Sequence, residues 1–121
     1  MVNRPRKKGT EFEVSVLQKI LRPIWPKAVR SGTTLGSGDR GDFFGTENWL
    51  IEAKNCKRWS LPEWIRVLRK KAGTHPWGIL ANQDGRRIPM VMVQPADQWR
   101  DFMIEYNTMK LALAAYRDRV E

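Results

Sequence analysis

The segment Trp49-Leu50-Ile51-Glu52-Ala53-Lys54 places a carboxylate and an ammonium two residues apart in an apolar run. Such a run reads as a strand, on which successive side chains alternate faces. Glu52 and Lys54 then project together, while Ile51 and Ala53 face the other way. In a hydrolytic site the carboxylate can hold a metal, and the lysine can position a water or stabilise developing phosphoryl charge. The same pattern also serves as a plain surface ion pair, so its surroundings decide.

Two further carboxylates are candidates for the same place. Gly41-Asp42 lies where a glycine-rich loop meets the apolar pair Phe43-Phe44. A tight turn over residues 45–47 brings Asp42 back beside the Glu52 end of the next strand. Two converging carboxylates suit an oxygen-ligated Mg²⁺, which prefers octahedral geometry and retains several waters. Asp39, deeper in the loop and followed by Arg40, is the local competitor and ranks second. Glu13 is the third carboxylate. At about 100° per residue, Phe12, Val14, Val16, Leu17, Ile20 and Leu21 form one apolar arc with Glu13 at its centre. Glu11 falls opposite, among Ser15, Gln18 and Arg22. A carboxylate on the core side of a helix is costly unless paired or metal-bound. Glu13 could also close a capping box with Thr10.

These residues need elements to hold them. Residues 1–9 read as a basic arm, with Arg4, Arg6, Lys7 and Lys8, ahead of a single domain over residues 10–121. A helix is expected from an N-cap at Thr10 to about Arg22, ending before Pro23. Strands follow at about 27–30, 42–44 and 48–54, with the loop 31–41 after the first. The next helix spans 61–72, with Ser60 as N-cap, Pro62 in its first turn and Gly73 ending it. Strands at 77–81 and 88–93 flank residues 82–85, and a last helix starts after Pro95. The order αβββαββα implies an α/β fold, a central mixed sheet flanked by helices.

Composition narrows the chemistry. The 121 residues suit one domain, and 22 Lys and Arg against 13 Asp and Glu give a formal charge of +9. That surplus favours a polyanionic partner, because neutralising phosphates releases counterions. The lone Cys56 leaves no internal disulfide or Cys-based zinc site, and a single His75 argues against His-clustered metals and Ser-His-Asp catalysis. Cys56 is expected to pack rather than react. No apolar segment follows the basic N-terminus and no run approaches a membrane span. The chain therefore reads as soluble and cytoplasmic, in a host cytoplasm if phage-encoded.

Taken together, Lys8-Gly9-Thr10-Glu11-Phe12-Glu13, Val29-Arg30-Ser31-Gly32, Gly41-Asp42 and Ile51-Glu52-Ala53-Lys54 resemble the PD-(D/E)XK nucleases, and among them the archaeal-type Holliday-junction resolvases. The likeness covers about residues 7–58. It departs in the long 31–41 loop, in Gly41 where the superfamily name has proline, and in a second half without a matching signature. The resemblance implies a restriction-endonuclease-like core and Mg²⁺-dependent cleavage of DNA, with Mn²⁺ able to substitute. It implies metal ligation by Asp42 and Glu52, with the Ala53 carbonyl and Glu13 as further ligands, and Lys54 orienting the attacking water. Arg30 and Ser31 would contact DNA or organise the site, and Lys57 matches a downstream basic position. Alternatives are a restriction-like, flap or recombination nuclease of the same superfamily, and a DNA-binding module without catalysis.

Lys57, Arg58 and Trp59 form a basic stretch with an aromatic that could stack on a base, and Arg66, Arg69, Lys70 and Lys71 extend a basic helix face. The six tryptophans read mostly as core. In the last helix Trp99, Phe102, Tyr106, Met109, Leu113, Tyr116 and Val120 recur at alternating steps of three and four, a heptad seam. It suits either packing on the chain's own sheet or a homodimer contact, and a homodimer would give a junction nuclease two symmetric sites.

Overall fold

The computed structural model describes residues 4–31, 42–85 and 88–120, with residues 4–9 as backbone only. Its elements are α1 (Arg4–Val16), a π-helical turn (Leu17–Leu21), α2 (Arg22–Ile24), β1 (Val29–Arg30), β2 (Phe43–Phe44), β3 (Leu50–Cys56), α3 (Leu61–Ala72), β4 (Trp77–Gln83), β5 (Val91–Val93) and α4 (Ala96–Val120). This is the expected αβββαββα order in one small mixed α/β domain. The strands form two sheets. β3, β4 and β5 make a mixed sheet, parallel between β3 and β4 and antiparallel between β4 and β5, while β1 and β2 form a separate antiparallel pair.

The period-2 alternation of β3 and β4 assigns the sheet's two faces. Ile51 and Leu80 join Val16, Leu17, Leu21 and Phe43 in one buried cluster under α1. Leu50, Trp77, Ile79 and Ala81 join Leu68 and Ala72 of α3 in a second cluster. Fully burying a side chain such as Leu21 or Leu68 stabilises the fold by roughly 1.5–3 kcal/mol. Glu52 is in register with Ile79, and Lys54 with Ala81. Both therefore lie on the α3 face, as the alternation requires.

Several boundaries differ from the sequence reading. α1 begins at Arg4 and runs through Gly9 and Thr10, so Thr10 lies inside the helix and not at its N-cap. The first helix does not stop before Pro23. After the π turn, Pro23 occupies the opening turn of α2, where its missing N–H removes little. Ser60 holds the N-cap position of α3 without a side-chain bond, and its carbonyl accepts the Trp64 N–H at 3.0 Å. Gly73 ends α3 at φ 61°, as expected. β5 is confined to Val91–Val93. The tryptophans are mostly core, as expected: Trp77 is buried, Trp25, Trp49, Trp59 and Trp64 pack half-buried against the two clusters, and Trp99 is exposed. Residues 32–41, with Asp39, lie outside the described residues, as do the side chains of Arg4, Arg6, Lys7 and Lys8.

Gly45 turns the chain after β2 at φ +78°, where a Cβ would stand 2.7 Å from the Lys27 carbonyl oxygen. This close approach locks the 45–48 turn against the segment entering β1. Gln98 ties the start of α4 to β4: its Oε1 accepts the Trp77 N–H at 3.0 Å, and its Nε2 donates to the Trp77 carbonyl at 2.8 Å. Among the described residues, no helix is long and apolar enough to cross a membrane.

Candidate active site

Among the described strands β3 lies at the edge of its sheet, and Asp42 occupies its outer side. The Asp42 N–H donates to the Ile51 carbonyl at 3.3 Å, and the Ala53 N–H donates to Asp42 Oδ2 at 2.7 Å. The Ser31 N–H donates to the Asp42 carbonyl at 2.8 Å, so the same residue joins the β1–β2 pair to β3. The turn does return Asp42 to β3. It does so by these bridging bonds, since β2 ladders with β1 and not with β3. Because a strand residue sends its N–H and C=O to the same side, the Ala53 carbonyl also faces this edge.

Glu52 stands beside Asp42 on the α3 face, its side chain only 12% exposed. Its pKa is pushed up to about 7, first by burial, then by the Asp42 charge and by a hydrogen bond between the two carboxyl groups. Lys71 and Lys54 oppose that rise. Lys71 Nζ lies 3.8 Å from Glu52 Oε1. Two carboxyl groups this close are unfavourable as a pair of bare anions, and a shared proton or a cation relieves the repulsion.

Glu13 projects from α1 on the opposite side of the sheet, half-buried where Glu11 is exposed. The helical phase read from the sequence holds. Arg30 Nε donates to Glu13 Oε2 at 2.9 Å. Burial raises the Glu13 pKa most, the Arg30 hydrogen bond lowers it, and the Asp42 charge raises it again. Asp42 is thus the charge felt by a carboxyl group on each face of β3.

Lys54 completes the α3 face. Its ammonium sits 5.7 Å from the centroid of the Trp64 ring, in cation–π range. Glu52, Lys54, Trp64, Val67, Leu68 and Lys71 line a pocket of about 270 Å³. Lys71 also lines the neighbouring hollow of about 380 Å³ formed with the turn before β3.

The donor set fits a hard divalent cation. Mg²⁺ takes one or two carboxylates, fills its other positions with water and substrate oxygens, and needs no all-protein cage. Asp42 and Glu52, with the Ala53 carbonyl on the same edge, meet that requirement. Among the described residues no three His, Cys, Asp or Glu side chains gather into a metal-binding group, so Glu13 joins no such cluster. Lys57 and Arg58 are exposed just beyond β3.

Two contributors are not singled out by the sequence: Lys71 reads only as part of a basic helix face, and Trp64 packs against the core as expected but also lies within cation–π range of Lys54. Trp64, Val67, Leu68 and Lys71 follow the i, i+3, i+4, i+7 spacing of one helical face, and that spacing was available to find them. Compared with protein-family models, curated proteins and solved structures, the chain finds no significant match.

Proposed function

We propose that this chain is a Mg²⁺-dependent DNA endonuclease hydrolysing phosphodiester bonds, with branched DNA such as a four-way junction as its preferred substrate. The observation that carries this reading is the meeting of the Asp42 and Glu52 carboxyl groups at the outer edge of β3, beside Lys54. The order Glu13, Asp42, Glu52, Lys54, in which the resemblance to PD-(D/E)XK nucleases lies, supports it. So does the formal charge of +9, which suits a polyanion.

Asp42, Glu52 and the Ala53 carbonyl would hold a divalent cation, which would supply Lewis-acid neutralisation of the charge that builds on the phosphoryl group. The chain's own residues do the rest. Lys54, restrained by the Trp64 ring, orients the water for attack on phosphorus and keeps its charge at the reacting centre. Arg30 holds Glu13 on the other face of β3, where Glu13 feels the Asp42 charge. Lys71, whose partner Glu52 is then engaged elsewhere, offers its ammonium to a phosphate oxygen. Lys57, Arg58, Ser31 and the basic residues 4, 6, 7 and 8 bind along the DNA backbone. By the resemblance, the products carry 5′ phosphate and 3′ hydroxyl ends. A homodimer gives the paired sites that symmetric cutting of a junction needs, and a free Cys56 with a DNA substrate suits the cytoplasm.

The test is cleavage of four-way junction, duplex, flap and single-stranded DNA side by side, with Mg²⁺ and with EDTA. Junction cleavage lost in EDTA supports the reading. Activity that survives EDTA, or none on any substrate with Mg²⁺ or Mn²⁺, overturns it. Equal cutting of plain duplex removes the junction preference and leaves a general nuclease.

A further inference from the structure

α4 is 25 residues long and buries none of them. From Ile104 to Val120 every residue is exposed, and only Gln98 and Met103 of the helix are half-buried. Trp99, Phe102, Tyr106, Met109, Leu113, Tyr116 and Val120 are each between 48% and 70% exposed. The homodimer contact suggested by their heptad spacing is therefore open to solvent in the single chain. Seven half-exposed side chains, aromatic ones among them burying 150–250 Å² each when covered, offer on the order of 700 Å². That exceeds the ~300–600 Å² patch of an ordinary monomer and approaches the ~800 Å² per partner of a specific interface. A helix standing free in water is also only marginally stable without a packed face.

We infer that α4 pairs with α4 of a second copy, antiparallel about a two-fold axis; this does not rest on the nuclease reading. The net charges of the two halves of the helix favour the antiparallel direction. Residues 96–108 carry Asp97, Asp101 and Glu105 against Arg100, whereas residues 109–120 carry Lys110, Arg117 and Arg119 against Asp118. A parallel pair sets like halves side by side, and an antiparallel pair sets acidic against basic. Glu105 lies beyond the first helical turn, where the helix's own dipole gives it no role. Layering Phe102 on Val120 of the partner copy, Tyr106 on Tyr116 and Met109 on Leu113 puts Glu105 opposite Arg119, twice per dimer.

Sedimentation or light scattering of the full chain at micromolar concentration is expected to give twice the chain mass. Tyr106→Asp with Leu113→Asp is expected to give a monomer. Glu105→Arg replaces two attractions by two repulsions and should raise the dimer Kd about tenfold, and adding Arg119→Glu should restore it. For direction, Glu105→Cys and Arg119→Cys chains, each also carrying Cys56→Ser, are oxidised alone and mixed. Cross-linking between unlike chains is expected. Like-with-like cross-linking overturns the antiparallel sense, and a wild-type monomer or tetramer overturns the pairing itself.

Discussion

The Ala53 N–H donates to Asp42 Oδ2 at 2.7 Å, anchoring an acidic side chain to the outer edge of β3 one residue from Glu52. That bond fixes where Asp42 can place its remaining oxygen. It brings two carboxyl groups together on a strand where Lys54 and Lys71 are the cations that face Glu52.

If this pair holds a catalytic cation, Asp42→Asn and Glu52→Gln should each reduce Mg²⁺-dependent cleavage to background while leaving DNA affinity nearly unchanged. The phosphates are gripped by basic residues elsewhere. Single-turnover cleavage alongside gel-shift binding checks this, and near-normal turnover in either variant would falsify the assignment.

The two glutamates of α1 separate by face. Glu13 is half-buried and bonded to Arg30, and Glu11 is solvated. Glu13→Gln should lower the cleavage rate at least tenfold, about 1.4 kcal/mol, whereas Glu11→Gln should change it little. Arg30→Gln should follow Glu13→Gln, because each removes one charge of the partly buried Arg30–Glu13 pair. A comparable fall in rate at Glu11 would refute the helical phase.

Glu52 makes stability depend on pH in a defined direction. Its folded pKa, about 7, lies above the usual carboxylate value. The folded chain therefore holds a proton that the unfolded chain releases, and the resulting stabilisation is complete below about pH 4.5 and lost as pH rises through 7. Without divalent cations, wild type should lose roughly 1–3 kcal/mol relative to Glu52→Gln between pH 5 and 8. Denaturant titrations of both proteins decide it. A cation at Asp42 and Glu52 displaces that proton, so Mg²⁺ affinity should rise with pH up to about 7.

Lys71 holds Glu52 toward its charged form from 3.8 Å away. Lys71→Met should raise the Glu52 pKa further and move the rising limb of the cleavage pH profile to higher pH. A merely structural lysine would lower activity without moving the profile. The pH dependence of single-turnover rates separates the two.

The sequence made the strand at the centre of the site readable because alternation needs only local information. Ile51 and Ala53 face α1, and Glu52 and Lys54 face α3, as period 2 requires. Gly73 and the phase of Glu13 were legible for the same reason. What local pattern does not contain is the partner of a strand. β2 reads correctly as a strand, yet its ladder lies with β1, since pairing depends on chain paths that periodicity does not encode. The start of α1 was missed because Gly9 looked like a boundary. Lys and Arg are good helix formers, and one glycine costs only about 1 kcal/mol, so the helix continues through it to Arg4. Lys71 was hidden by length: a long flexible side chain at the end of a helical face reaches a strand residue nineteen positions earlier.

The helical course of α1 changes how the basic N-terminal residues should be tested. Deleting residues 1–8 would remove the first turn of a helix that begins at Arg4, mixing a folding effect with loss of charge. Replacing Arg4, Arg6, Lys7 and Lys8 by Gln removes the charges and keeps good helix formers. If these side chains lie on phosphates, duplex affinity should fall, and the log–log salt slope should flatten by about 0.9 for each phosphate left unneutralised. A four-site variant should therefore lose between one and about four units of slope, with cleavage of bound DNA nearly unchanged. Lys57→Gln with Arg58→Gln is the comparison, because those two are exposed beside the site itself. Removing their charges should lower the slope and also slow cleavage. An unchanged slope in the four-site variant would show that the N-terminal charges touch no DNA, and would move the binding surface to the α3 side of the domain.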